Sequence, residues 1–141
     1  MRKLLPVIFA GICLLCSCHV PPSEEKFVRI DQAQDSVFTF PVRMVDGTVA
    51  YDISFYTVID GEGVSSLPIE VRWISPSGKK YGETVSMSVG NRKGDRQLYR
   101  SDLEPYEYGE WTLSLKVQGE VPGFRGIGVI CERKTKSDGA R

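Results

Sequence analysis

Trp111-Thr112-Leu113-Ser114-Leu115-Lys116-Val117 decides the fold. Large apolar residues take every second position, and polar residues fill the gaps. Successive side chains of a strand point to opposite faces, so this stretch has one buried side and one wet side. Gly109-Glu110 leads into it. Five other stretches repeat the pattern. Phe38, Phe40, Val42 and Met44 oppose Thr39 and Arg43. Ile53, Phe55, Thr57 and Ile59 oppose Asp52 and Ser54. Leu67, Ile69, Val71 and Trp73 oppose Pro68, Glu70 and Arg72. Val85, Met87 and Val89 oppose Ser86 and Ser88. Ile127, Val129 and Cys131 close the series. Phe27 to Ile30 and Gln97 to Arg100 are weaker strand candidates, and no window has a convincing helical period.

The breaks between these runs carry turn chemistry. Asp46-Gly47, Asp60-Gly61-Glu62-Gly63, Pro76-Ser77-Gly78 and Asn91 to Gly94 hold residues that tolerate tight or left-handed turns. About eight short strands at this spacing predict an all-β protein, an antiparallel β-sandwich of immunoglobulin-like or jelly-roll-like form. Pro41 cannot donate to a ladder, which predicts an edge or bulged strand there. Trp73 and Trp111 are expected on the inner faces, where each buries a large area.

The N-terminus is different. Arg2 and Lys3 precede an uncharged apolar run, Leu4 to Leu15. A spanning helix needs about 20 residues, and this run is shorter. A basic start, a short apolar core and a small residue before the cut are the marks of a secretory signal. Leu15-Cys16-Ser17-Cys18 resembles a bacterial lipobox: an aliphatic residue, any residue, a small residue, then the cysteine that is acylated. The expected organisation is a lipoprotein signal peptide over 1–17, a lipidated tether over 18–26, a β-sandwich over 27–134 and a polar tail over 135–141. Ordinary secretion without lipid is the plainer alternative. Pro21-Pro22 and Ser23-Glu24-Glu25 suit an extended, solvated tether, and the acids also resemble a surface-export signal.

Removing residues 1–17 from the 141 leaves 124, the size of one domain, with 16 basic and 18 acidic residues. The net charge of −2 and the lack of a basic stripe argue against nucleic acid as a partner. Cys18 and Cys131 are the cysteines left. With Cys18 lipidated, no internal disulfide forms, and Cys131 is expected to be a buried small hydrophobe. Cys13, Cys16, Cys18 and His19 lack a second ligand half, so no metal or cofactor is expected.

Catalytic signatures are missing from the sequence. His19 lies in the tether, away from any packed shell that would position a base. There is no Gly-x-Ser-x-Gly elbow and no phosphate loop. Asp102, Glu104, Glu107 and Glu110 form an acidic cluster. Such a cluster can serve glycoside hydrolysis, calcium binding or simply a solvated loop. Tyr99, Tyr106 and Tyr108 lie beside it, and exposed rings stack on flat ligands. Together with Glu107 these tyrosines form a candidate sugar or peptide site. Rim packing is the plainer reading of the same rings.

Several segments, in order, resemble the gliding-motility lipoproteins of the GldH type. They are Tyr51-Asp52-Ile53; Pro76-Ser77-Gly78-Lys79 followed by Glu83-Thr84-Val85; Gly109-Glu110-Trp111-Thr112; Gln118; and Gly126-Ile127 with the closing Ile130 to Lys134. The resemblance spans about 38–134. It departs at Gly63-Val64-Ser65-Ser66-Leu67-Pro68, where the family's Tyr-Pro-Tyr-Ser-Asn-Leu keeps only Ser66 and Leu67 in register. It departs again at Gly119 and Glu120, which replace a Met-Arg pair. The resemblance implies a divergent, non-enzymatic outer-membrane lipoprotein that binds other envelope proteins and is linked to gliding and type IX secretion. The departures imply that its partner differs. The alternative is a surface lipoprotein that binds glycan or peptide through its tyrosines.

Overall fold

A computed structural model describes residues 23–61, 66–89 and 95–136. The expected signal peptide, Cys18, His19 and the C-terminal five residues lie outside the described residues. So do part of the turn at 60–63 and all of the turn at 91–94.

Eight strands follow one another: β1 (Ser23–Arg29), β2 (Val37–Met44), β3 (Val49–Ile59), β4 (Ser66–Ile74), β5 (Lys80–Ser88), β6 (Arg96–Leu103), β7 (Gly109–Val117) and β8 (Phe124–Thr135). One 3-10 turn, Ile30–Gln32, links the first two. The strands make two four-stranded sheets, ordered β1-β8-β3-β6 and β2-β7-β4-β5. Every pairing is antiparallel: β1 with β8, β2 with β7, β3 with β6 and β4 with β5, closed by β3–β8 and β4–β7. First with last, second with second-last, is a long hairpin rolled onto itself. That is the jelly roll, and it decides between the two sandwich forms.

Period-two alternation builds the core. Phe38, Phe40, Val42 and Met44 meet Ile53 and Phe55, Leu67, Ile69 and Val71, Leu113 and Leu115, and Ile127 and Val129 in one buried cluster. Pro41 lies in β2, which pairs with β7 alone and is an edge, as its missing donor requires. Ser54, expected on the wet face, is buried. It stands beside Ile130 in register, and the Arg96–Glu132 ion pair joins the rows on either side of them.

Two boundaries differ from the sequence reading. Ser23 to Lys26, expected in the tether, belong to β1 and pair with Glu132 to Val129. Their side chains are mostly exposed, so hydropathy carries no sign of the strand. Backbone pairing holds it, with Phe27 stacked on Tyr56 (5.9 Å, 9°) and the Tyr56 hydroxyl donating to Glu25. At the other end, Thr135 pairs with Val49 as the last residue of β8, so the strand runs past 134.

The register also fixes what shares a pole. Ser23, Thr135 and the connections β2–β3, β4–β5 and β6–β7 all lie at one end. The connections β1–β2, β3–β4, β5–β6 and β7–β8 lie at the other.

Candidate functional site

Strands β5 and β6 are consecutive in the chain but belong to different sheets, each at an edge. The two sheets part between them, near the pole that carries Ser23. The gap is a cleft of about 350 Å³, within the usual range for a small-molecule site. Trp73, Tyr81, Tyr99, Tyr106 and Trp111 line it, with Glu83, Arg100 and Glu104 as charged groups.

The rings support one another. Trp73 meets Trp111 edge-to-face at 6.2 Å, Tyr106 meets Trp111 at 5.5 Å, and Tyr81 meets Tyr106 at 6.1 Å. The Tyr81 and Tyr106 hydroxyls are 2.7 Å apart. That bond holds the Tyr81 phenol above its usual pKa, with a smaller contribution from burial. Lys79 Nζ lies 5.5 Å from the centre of the Tyr106 ring. Edge-to-face pairs add about 0.5–1.5 kcal/mol each beyond burial and fix ring orientation.

A bulge supplies the polar end. Leu98 is opposite Ser54 and Arg100 is opposite Ile53, leaving Tyr99 as the extra residue. Alternation would send Tyr99 and Arg100 to opposite faces. The bulge lets both reach Glu83, which accepts from the Tyr99 hydroxyl and from the Arg100 guanidinium. The guanidinium also lies 4.4 Å over the Tyr99 ring, and Phe55 stacks on that ring at 4.6 Å. Burial, then the bond to Glu83, pushes the Tyr99 phenol up to about 12. The Tyr99 hydroxyl, opposed by burial and aided by Arg100, holds the Glu83 carboxyl below its usual value. Glu83 therefore stays ionised at neutral pH, whereas a catalytic acid needs a raised pKa.

The cleft wall is built from two turns. Ser75 Oγ accepts from the Lys79 amide at 3.0 Å, and Ser77 Oγ donates to Glu107 Oε2 at 2.7 Å. Gly109 has φ +147, and a Cβ there would lie 2.8 Å from Pro76 Cγ. A side chain at Gly109 would separate the turns.

Of the residues singled out in the sequence, Tyr99, Tyr106, both tryptophans and Glu104 of the acidic cluster line the cleft, and Tyr108 and Glu107 do not. Tyr108 lies over the β2–β3 turn, where a Cβ on Gly47 would come within 3.0 Å of its hydroxyl. Glu107 holds the wall through Ser77 and, by its carbonyl, accepts the Trp111 indole N–H at 3.0 Å. The acidic cluster is dispersed: Asp102 pairs with Lys134, Glu104 with Lys136, and Glu107 binds Ser77. Tyr81, Glu83 and Arg100 were not singled out in the sequence, and Trp73 and Trp111, expected in the core, line the cleft as well. The cue for Tyr81 was available, since it shares period-two phase with Val85 and Met87 on the inner face.

Cys131 lies away from the cleft. Burial, then the nearby Glu24, pushes its thiol from 9.0 up to about 12. At pH 9 little of it is thiolate, the nucleophilic form. The Cys131 peptide of the folded protein is expected to stay unlabelled by iodoacetamide at pH 9 and to label fully in denaturant. Rapid labelling of the folded protein would contradict this burial.

Compared with known proteins, the chain matches no family model, no curated protein and no solved structure. Fold and site define its class: an eight-stranded jelly roll with an aromatic cleft at one open edge. Jelly rolls serve lectins, capsids and enzymes alike, so the class alone does not choose among functions.

Proposed function

We propose that this protein is a non-enzymatic lipoprotein of a bacterial outer membrane, anchored through Cys18, that binds an envelope saccharide in the aromatic cleft. The convergence of five rings with a Glu83–Arg100 pair supports the binding role best. Sugar rings have flat C–H faces that stack on aromatic rings, and rims of hydroxyls that bond to phenols, carboxylates and guanidinium groups. The cleft offers both in one place. The ionised, paired state of Glu83 argues against it as the acid of a glycoside hydrolase. The lipobox supports the anchor, and the ordered segments from Tyr51 to Lys134 support kinship with gliding-motility lipoproteins.

The test uses the full chain on a glycan array. Saccharide binding is expected, and Tyr81→Ala with Tyr106→Ala should weaken it at least tenfold, about 1.4 kcal/mol. A blank array, or binding indifferent to both changes, would refute the saccharide. Capture of an aromatic or proline-rich peptide by the same cleft would refute it too, since peptides also use ring-lined grooves. Separately, Cys18→Ala should move the protein from the membrane pellet to the soluble fraction.

A further inference from the structure

The pole that carries Ser23 is the aromatic end of the molecule. Seven large apolar side chains among the described residues are exposed, and four of them, Val45, Tyr81, Tyr106 and Tyr108, stand at this pole. Ile30 alone stands at the opposite pole. Tyr108 lies over the turn that follows Val45.

The chain outside the structure bears on what covers them. Five residue steps separate Cys18 from Ser23. Fully extended they span at most about 18 Å, whereas nine-residue strands run about 30 Å. An acyl group on Cys18 therefore holds this pole, and not the other, within reach of the bilayer.

The chemistry fits a lipid surface. Part of the charge at this pole is paired, Lys134 with Asp52 and Asp102 and Lys136 with Glu104, and Lys79 lies against the Tyr106 ring, while Arg43 and Lys80 stand outside these pairs. Tyrosine is enriched where membrane meets water, because its ring is apolar and its hydroxyl is wet. We infer that this pole rests on the lipid surface, with Tyr108 and Val45 in the headgroup layer of the membrane that holds Cys18. The inference rests on the anchoring proposed above. Tyr81 and Tyr106, which line the cleft, stand at the same pole.

The test uses the full-length lipidated protein in phosphatidylcholine vesicles that carry a headgroup nitroxide. Trp73 and Trp111, the two tryptophans of the chain, report contact by fluorescence quenching. Inserting twenty Gly and Ser residues between Pro22 and Ser23 removes the enforced proximity. The long-tether protein is expected to keep at least half of the quenching. Adding Val45→Asp and Tyr108→Ser to it should lower quenching several-fold, while Leu98→Asp on the sheet face should not. Circular dichroism checks the fold, and Tyr108→Ser alone serves if the double variant unfolds. Quenching lost on lengthening the tether alone would overturn the inference. So would protection of this pole in native envelopes but not in pure lipid, which would point to a protein cover. Flotation with the vesicles is read separately, and its failure would refute the anchor itself.

Discussion

Trp111→Ala is expected to abolish ligand binding and to lower stability by about 3–5 kcal/mol, the usual cost of emptying a large aromatic site. Trp111 is 5% exposed and belongs to both the core cluster and the cleft floor. Its loss removes the edge-to-face contacts to Trp73 and Tyr106 and leaves the Glu107 carbonyl without the indole donor. Tyr106→Ala separates the two effects. That ring is 58% exposed, so its removal should weaken binding and cost about 1–2 kcal/mol of stability through the two ring contacts it makes, less than the loss of Trp111. Urea unfolding and ligand titration of both variants check this. A Trp111→Ala protein that unfolds within about 1 kcal/mol of wild type would mean that the indole does not hold the floor together.

How much of this was legible in the sequence follows from what each feature depends on. The strands were legible because burial on one face leaves a period of two, as from Trp111 to Val117. Edge placement of β2 was legible because Pro41 lacks a donor. Strand order was not, since it depends on which strands pair across the whole chain. The cleft was half legible. Tyr99 and Tyr106 were visible as exposed rings near acids. Arg100 was not, because a bulge at Tyr99 overrides alternation and only register reveals it; Glu83 shares the phase of Tyr81, Val85 and Met87, but its partners lie on the other sheet. Tyr108 and Glu107 had the right composition but belong to the turns of the wall. Strand β1 was nearly invisible ahead of Phe27, because backbone pairing over Ser23 to Lys26 leaves almost no apolar trace.

That strand supplies the second large effect. Gly128 lies in β8 directly opposite Phe27 on one side and Tyr56 on the other. With no side chain between them, the two rings stack over the glycine. A Cβ at Gly128 would lie 2.0 Å from the Tyr56 ring, a position that a rigid ring cannot share. Gly128→Val must therefore push Tyr56 aside. The stacking on Phe27 and the bond to Glu25 go with it. Burial and that bond hold the Tyr56 phenol well above its usual pKa. The expected loss is about 2–3 kcal/mol, the upper part of the range for overpacking. It should fall first on β1, the element that joins the folded body to the proposed anchor. Hydrogen exchange is expected to show the amides of Ser23 to Arg29 opening while those of Trp111 to Val117 stay protected. Phe27→Ala should open the same amides without steric conflict, and so tests whether the ring pair, rather than the ladder alone, holds the strand. If Gly128→Val leaves β1 as protected as in wild type, the rings do not lock it, and the body is joined to its tether by backbone pairing alone.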